Sequence, residues 1–207
     1  LGKRWENIDP LGPENLLLLL TGPLTGFAPG GRLCASGKSP QSNGIVGSTV
    51  AGEFPIELRC AGYDGLIFTG KAERPVYLFI KDSDVEIKDA SHVWGKDAKE
   101  TLRVLVKEGR SELESRYKGK GLWKEPAAVY IGPAGESRSR IAAVTAKWAH
   151  AAGYGGYGGV MGSKNLKAVL AKGTGPLPDV ADMKKVEEII DLILKKDFKS
   201  TTWRRWG

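Results

Sequence analysis

Sulfur and imidazole ligands are scarce in this 207-residue chain, which contains only two cysteines and two histidines. Two thiolates cannot by themselves hold a four-cysteine iron–sulfur cluster or a structural zinc ion. The cysteines, Cys34 and Cys60, also fit no disulfide-rich secreted scaffold. We therefore interpret both as buried small hydrophobic residues of a cytoplasmic protein.

Long apolar runs are missing as well. The run Leu16–Leu20 has five leucines, whereas a membrane-spanning helix needs roughly 20 apolar residues. No signal peptide precedes it, so we expect no membrane partner.

Positive charge and glycine are abundant. The net charge of +7 favours an anionic partner, such as nucleic acid, a phosphorylated cofactor or an acidic subunit. The 28 glycines exceed the average share of roughly 7%. Many of them lie in the stretch 150–170, where Lys164 and Lys167 follow the glycines. Exposed amides beside lysines would form an anion-binding concavity, with a flexible surface loop as the alternative.

Two known phosphate motifs do not fit this stretch. Gly153, Gly155 and Gly158 spell G-x-G-x-x-G, and Asp179 lies further along. A dinucleotide site needs a helix opening on these glycines, whereas the segment LKAVLA that follows is β-like. A P-loop is excluded because Ser163 precedes its lysine instead of following it.

Apolar periodicity and turn signals predict strands and helices in an α+β arrangement. The predicted strands are Leu16–Leu20, Leu33–Ser36, Ile45–Val50, Leu66–Thr69, Val76–Lys81, Val85–Lys88, Ala127–Ile131 and Ile141–Ala149. The predicted helices are Ala51–Ala61, a helix capped by Asp97 that runs to Glu108, and an amphipathic helix over 182–196. The charged segment 109–126 is predicted to be a solvated excursion.

Eight sequence blocks occur in an order that is similar to one known family. They are TGPLTG at 21–26, GGR at 30–32, KSP at 38–40, AGYD at 61–64, GKAERPVY at 70–77, DASHVWGK at 89–96, IGPAGE at 131–136 and MGSKNLKA at 161–168. On these blocks the chain resembles the amino-terminal domain of the tungsten-containing aldehyde:ferredoxin oxidoreductase family. Such members begin about 40 residues earlier and continue long after. We therefore expect a cofactor domain at 1–175 and, at 176–207, a linker and first helix leading into a further domain.

The resemblance implies a fold and a cofactor. The implied fold is two mixed β-sheets related by a pseudo-twofold, with flanking helices. This base carries a tungsten (or molybdenum) bis-pterin whose phosphates are bridged by magnesium. The implied cofactor-binding residues are Arg32, Thr49, Ala51, Gly52, His150, Ala151, Gly153 and Tyr154. Thr49 and Ala151 are the candidates for magnesium. No catalytic residue is assigned, because the family's acid–base residues and [4Fe-4S] cluster lie in later domains.

Three of these positions depart from the family pattern. Members with known pterin contacts usually have Asn in place of Thr49 and Arg in place of His150 and Tyr154. Histidine donates to phosphate with a charge that depends on pH, and tyrosine donates one uncharged hydrogen bond. Basic residues that could supply the missing charge are Arg138, Arg140 and Lys147.

The implied function is oxidation of aldehydes to carboxylic acids with ferredoxin as electron acceptor. A neighbouring branch of the family reduces aromatic acyl-CoA thioesters instead, and a catalytically inactive scaffold subunit is a third reading. Expected partners are ferredoxin or another electron-transfer subunit, a small aldehyde-type substrate, the remaining domains and a second copy of the chain. The stretch GYGGYGG and the basic charge leave a glycine-rich RNA-binding module as the remaining alternative.

Smaller features complete the sequence predictions. His92 is expected to be structural, and Tyr157 is expected to cover the glycine loop. The tail Trp203–Trp206 is expected to cross into the next domain.

Overall fold

The structure is a computed structural model that describes residues 2–27, 31–119, 121, 125–147 and 150–199. Within these residues a short 3-10 helix, Gly2–Asn7, precedes ten strands and five α-helices. The strands are β1 Leu17–Leu20, β2 Arg32–Lys38, β3 Ile45–Ala51, β4 Gly65–Phe68, β5 Val76–Lys81, β6 Asp84–Asp89, β7 Ala127–Tyr130, β8 Val144–Ala146, β9 His150–Ala152 and β10 Leu166–Lys172. The helices are α1 Phe54–Cys60, α2 Ala98–Arg116, α3 Pro133–Glu136, α4 Tyr157–Ser163 and α5 Met183–Lys199.

The first sheet has four strands in the order β3-β2-β1-β4, all antiparallel to their neighbours. Side chains alternate between its faces, so Leu17 and Leu19 of β1 are fully buried while Leu20 is 36% exposed. The predicted strand at Leu16–Leu20 is confirmed, but only one of its faces is buried.

The second sheet has six strands in the order β6-β5-β10-β7-β8-β9. Strand β10 lies in its interior, parallel to β5 and antiparallel to β7. All seven β10 residues are buried, because protein packs on both faces of this strand. The predicted α+β class with two sheets is confirmed, although the four-stranded sheet is antiparallel and only the six-stranded sheet is mixed.

One continuous core joins the two sheets. Leu33 of β2 and Val50 of β3 belong to the same buried cluster as Val144 of β8 and Val169 of β10. Helix α1 adds Phe54 and Leu58 to this cluster, and α4 adds Val160 and Met161. Full burial of one such side chain stabilises the fold by roughly 1.5–3 kcal/mol. The sheets are therefore held in one arrangement by shared apolar burial.

Helix α2 is longer than predicted. The Asp97 carboxylate accepts a hydrogen bond from the Glu100 amide at 2.7 Å, which confirms the predicted cap. The helix then continues past Glu108 to Arg116, because Leu113 is fully buried in a second core cluster. The predicted solvated excursion at 109–126 is thus wrong for its first eight residues, where periodic apolar contacts outweigh the high charge.

Two other predictions differ in extent: helix α1 begins at Phe54 instead of the predicted Ala51, which ends β3, and β8 is also short. Strand β8 is shorter than the predicted Ile141–Ala149, whose last two residues lie outside the described part of the chain. Helix α5 confirms the predicted amphipathic helix and exposes Ile189 and Leu192 by 56% and 52%. Among the described helices none is both long and apolar enough to cross a membrane. The tail Trp203–Trp206 lies outside the described residues.

The Asp82 carboxylate binds the segment that follows β10. Asp82, at φ 54° in the β5–β6 turn, accepts hydrogen bonds from the Thr174 amide at 2.6 Å and the Thr174 hydroxyl at 2.9 Å. The Tyr117 hydroxyl donates to it at 2.7 Å. Burial opposes ionisation of Asp82, but these hydrogen bonds outweigh burial and hold its pKa below the ordinary 3.8.

We expect Asp82→Asn to destabilise the chain by about 1–3 kcal/mol at neutral pH. Asparagine tolerates the positive φ, but its amide nitrogen replaces one acceptor oxygen by a donor. Because the folded pKa is lowered, the contribution of the carboxylate is complete above about pH 4 and is lost as the pH falls through the folded pKa. Urea unfolding at several pH values measures both effects.

The control is Glu14→Gln, because Glu14 is exposed and makes no hydrogen bond or ion pair within the described residues. Equal unfolding free energies for the two variants at neutral pH would contradict the assigned role of Asp82.

Candidate functional site

The two sheets meet where edge strand β3 lies beside edge strand β9. The Tyr154 amide donates to the Ser48 hydroxyl at 3.1 Å. At the other end, a Cβ on Gly52 would lie 3.6 Å from that of Ala146, the register partner of His150. The strands therefore run side by side in opposite directions. We refer to residues 48–52 and 150–154 as the seam.

Seven of the eight cofactor residues predicted from the resemblance lie in this seam, and the eighth, Arg32, lies beside it. Arg32 begins β2 directly opposite Ala51 in the β2–β3 register. The others occupy the end of β3 and the region of β9: Thr49, Ala51 and Gly52 on one side, and His150, Ala151, Gly153 and Tyr154 on the other. Two segments about a hundred positions apart in the chain thus form one surface.

Several polar side chains at the seam are free to meet a ligand. Arg32, Thr49 and His150 are exposed, and none makes a hydrogen bond or ion pair within the described residues. The Tyr154 side chain is 54% exposed. A guanidinium with no carboxylate partner is well suited to a bidentate contact with phosphate.

Gly153 marks an open place on this surface. Its φ is not positive, and a Cβ added there would meet no atom within 4 Å. The fold itself therefore does not require glycine at this position. A flat ligand lying against the backbone would require it, so the residues present fit an anionic, ring-containing cofactor.

The three nearby basic residues differ in what they can supply. Lys147 forms an ion pair with Glu53, so a carboxylate already balances its charge. Arg140 donates to the Pro40 carbonyl at 3.2 Å and remains exposed. Arg138 is exposed at φ 59° and makes no ion pair within the described residues. Arg140 therefore lies next to the glycines that follow the seam, where a Cβ of Gly156 would be 2.0 Å from its carbonyl oxygen, whereas the charge of Lys147 is already neutralised.

The prediction of an anion-binding concavity, formed by glycine amides beside Lys164 and Lys167, is wrong. Most of the stretch after Tyr154 is buried and includes helix α4, a helix that the sequence did not predict. Lys164 and Lys167 are 4% and 0% exposed, and both donate to backbone carbonyls in the interior. The stretch contributes its first residues to the seam and the rest to the core.

Three side chains that the sequence did not single out anchor the glycine loop. The Ser48 hydroxyl accepts from the Tyr154 amide, and the Gln41 side-chain carbonyl accepts from the Gly155 amide at 2.8 Å. The Ser39 hydroxyl donates to the Gly155 carbonyl at 2.8 Å. Ser39 lies in the block KSP, but no sequence signal pairs any of the three with residues beyond position 150.

Tyr157 packs on the loop as expected, and it does more. The side chain is fully buried, and its ring lies 2.6 Å from where a Cβ of Gly155 would be. Its hydroxyl donates to the Gly37 carbonyl at 3.1 Å, so α4 is attached directly to the first sheet. Burial raises the pKa of Tyr157, which keeps the hydroxyl a donor.

The cysteines are half-buried rather than buried, which corrects their interpretation. Cys34 faces Thr49 in the β2–β3 register, so its thiol belongs to the face that Arg32 shares. Burial raises the pKa of the Cys60 thiol. His92 contacts Glu108 at 3.2 Å on the surface of α2. Within the described ranges no group of three or more His, Cys, Asp or Glu side chains could hold a metal ion.

The family model described as "Aldehyde ferredoxin oxidoreductase, N-terminal domain" matches residues 3–173. A Pyrococcus furiosus protein named "Aliphatic sulfonate oxidoreductase, WOR-like subunit" is 55% identical over 207 residues, which is 100% of this chain and 33% of that protein. Tungsten-containing aldehyde ferredoxin oxidoreductases of Pyrococcus furiosus and Pyrococcus horikoshii are each 46% identical, over 86% and 88% of this chain and 28% of each relative.

A solved structure, the active-site complex BamBC of benzoyl coenzyme A reductase with 1,5-dienoyl-CoA, is similar with a TM-score of 0.78. It shares 35% identity and covers 93% of this chain, which in turn covers 28% of the solved chain. The chain thus spans about a third or less of the length of the relatives that it matches.

Alanine substitutions at two glycines test which one lies on the seam surface and which one is packed in the core. Gly153→Ala is expected to change the free energy of unfolding by less than about 0.5 kcal/mol, because its Cβ points into open space. Gly162→Ala is expected to cost about 3 kcal/mol or more, because its Cβ would lie 1.8 Å from the Gly135 carbonyl oxygen. Denaturant unfolding gives both values, and a large loss for Gly153→Ala would mean that the fold itself uses this position.

Proposed function

Because the chain belongs to the aldehyde ferredoxin oxidoreductase family, we propose that it is the cofactor-binding portion of a tungsten bis-pterin, iron–sulfur oxidoreductase. The proposed reaction is oxidation of an aldehyde to a carboxylic acid. Tungsten-containing relatives that are 46% identical over most of the chain support the metal. The single observation that carries the proposal is the seam: Arg32 lies beside it in β2 with no side-chain partner within the described residues, and the backbone is left open at Gly153.

The proposed contacts follow from what each residue offers. Arg32 donates two hydrogen bonds to a pterin phosphate. Backbone groups of Ala51, Gly52 and Gly153 allow close approach of the ring system. Oxygens of Thr49 and Ala151 are the proposed ligands of a magnesium ion, which takes few protein oxygens and keeps several waters.

His150 and Tyr154 complete the proposed site. The imidazole donates to phosphate, and the phenol lies over the exposed edge of the ring or donates one hydrogen bond. Both side chains are exposed at the seam and are free to turn toward a ligand. When bound, the tungsten centre would supply the two-electron redox chemistry, while the residues of this chain bind and orient the cofactor.

The remaining parts of the reaction are proposed to lie outside this chain, since it covers only a third or less of the relatives. A [4Fe-4S] cluster in the following domains would pass electrons to ferredoxin or another electron-transfer subunit. We also propose a cytoplasmic location and assembly with the remaining domains or with a second copy. No catalytic residue is assigned to the described residues.

Two other substrate classes have specific support. The relative that is 55% identical over the whole chain is named a subunit of an aliphatic sulfonate oxidoreductase. The similar solved structure is a benzoyl coenzyme A reductase complex, which matches the alternative of an aromatic acyl-CoA reductase. Turnover assays with an aldehyde, an aliphatic sulfonate and an aromatic acyl-CoA distinguish the three. An RNA-binding module is disfavoured, because most of the glycine stretch and both of its lysines are buried.

The first test of the cofactor site is Arg32→Ala in the intact enzyme. A charge-assisted hydrogen bond contributes roughly 1.5–3 kcal/mol, so retention of the cofactor should fall about ten- to a hundredfold. The measurement is tungsten and pterin content per protein after extended dialysis. Arg74→Ala is the matched control, since Arg74 is 75% exposed and pairs with Asp89 away from the seam. Equal retention in both variants would remove Arg32 from the site.

The second test restores a guanidinium. His150→Arg is expected to retain tungsten and pterin at least as well as the wild type, because His150 is exposed and its replacement meets no packed core. The same dialysis measurement applies. A strong loss of cofactor with an unchanged free energy of unfolding would mean that His150 contacts no anionic group of the cofactor.

A further inference from the structure

The glycine loop 153–156 has little local reason to hold one conformation. Three of its four residues are glycines, and Gly155 and Gly156 adopt φ values of 82° and 72°. Fixing a backbone residue in one conformation costs conformational entropy, and glycine loses more of it than any other residue. Contacts from elsewhere in the chain must offset this cost.

Those contacts come from the first sheet and reach both polar groups of the Gly155 backbone. Gln41 accepts from the Gly155 amide at 2.8 Å, and the Ser39 hydroxyl donates to the Gly155 carbonyl at 2.8 Å. Ser48 accepts from the Tyr154 amide at 3.1 Å. We refer to Ser39, Gln41 and Ser48 as the clip.

The turn that carries Ser39 and Gln41 is itself rigidly built. The Ser39 hydroxyl accepts from the Gln41 and Ser42 amides at 3.2 and 3.1 Å, and the Ser39 side chain is fully buried. The Ser39 amide donates to the Gly44 carbonyl at 2.9 Å, and the Asn43 amide donates to the Ser39 carbonyl at 2.8 Å. A rigid turn can impose its geometry on a soft loop.

Occupied amides have a consequence for ligand binding. The amides of Tyr154 and Gly155 already donate to clip side chains, so they are not available to a phosphate. Anchoring of an anionic cofactor then depends on side chains such as Arg32 and on the placement of residues 150–153. The clip determines that placement, since Tyr154 and Gly155 directly follow those residues.

We propose that Ser39, Gln41 and Ser48 are positioning residues. They hold residues 150–153 of the seam in the conformation that binds the cofactor, and they do not touch the cofactor. This proposal rests on the proposed function. It assigns a role in cofactor retention to Ser39 and exposed Gln41 of the β2–β3 turn and to Ser48 of β3, none of which belongs to the proposed cofactor-binding set.

The test uses Gln41→Met and Gln41→Glu in the intact enzyme, because Gln41 is exposed and its replacement does not disturb the core. Methionine keeps the length but lacks a strong acceptor, whereas glutamate keeps an acceptor oxygen. Ser42→Ala is the matched control, since among the described residues the Ser42 hydroxyl bonds only to the Gly44 amide of the same turn. Ser48→Ala is a second variant that removes the contact to Tyr154.

The readouts are hydrogen exchange of the peptide spanning 150–157, tungsten and pterin content after dialysis, and activity per bound tungsten. A hydrogen bond contributes about 1 kcal/mol, so Gln41→Met and Ser48→Ala should speed exchange and lower retention about fivefold. Activity per bound tungsten should stay unchanged, and Gln41→Glu should keep the slow exchange of the wild type.

Three results would overturn the proposal: fast exchange with full retention in Gln41→Met, exchange no faster than in Ser42→Ala, or fast exchange in Gln41→Glu. The proposed function fails separately, if the wild-type enzyme carries no tungsten and pterin although the clip variants still exchange faster.

Discussion

Direct backbone-to-backbone packing around α4 is the constraint on which the rest of the structure depends. A Cβ at Gly156, Gly158 or Gly159 would lie within 2.5 Å of a carbonyl oxygen in the segment 139–143. Only glycine permits this approach, so α4 rests against that segment without intervening side chains. The short distance places β8 and β9 where β9 can reach the edge of the first sheet. The seam is therefore a consequence of helix packing in the core.

Buried lysines provide a second means of joining distant segments. Lys38 donates to the carbonyls of Glu6 and Ile8 at 2.6 and 2.7 Å, and Lys164 donates to those of Pro13 and Gly70. Burial lowers the pKa of Lys164, yet two carbonyl acceptors compensate for much of the lost hydration. Such ammonium groups bind loop backbones in the interior much as a metal ion would. The net charge of +7 thus overstates the charge available to an anionic partner.

The proposed cofactor site combines an exposed surface with a preorganised base. Within the described residues, the side chains of Arg32, Thr49 and His150 are exposed and unpaired, whereas those of Ser48 and Tyr157 are buried and hydrogen-bonded. This division suits a large ligand that must be held in one orientation, because the flexible side chains adjust while the backbone does not. Both sheets contribute, so any relative shift of the sheets would separate the two halves of the site.

The sequence by itself determined the class of fold and most strands, and its resemblance to a family supplied the proposed site residues. Apolar alternation and turn residues are local signals, so strands such as Val76–Lys81 and the cap at Asp97 could be predicted from neighbouring positions alone. The site residues, by contrast, came from ordered blocks that resemble a family. Neither route required knowledge of which segments touch.

Only the tertiary structure decided which polar groups are available. Lys164 and Lys167 follow a glycine stretch and suggested an anion site, but burial turns both toward interior carbonyls. Glycines that suggested an open loop instead form α4, because their missing side chains allow a helix to pack on backbone. Gln41 and Gly155 are 114 positions apart and meet through a contact that no local pattern encodes. Burial and long-range pairing depend on the whole fold, and a linear pattern contains neither.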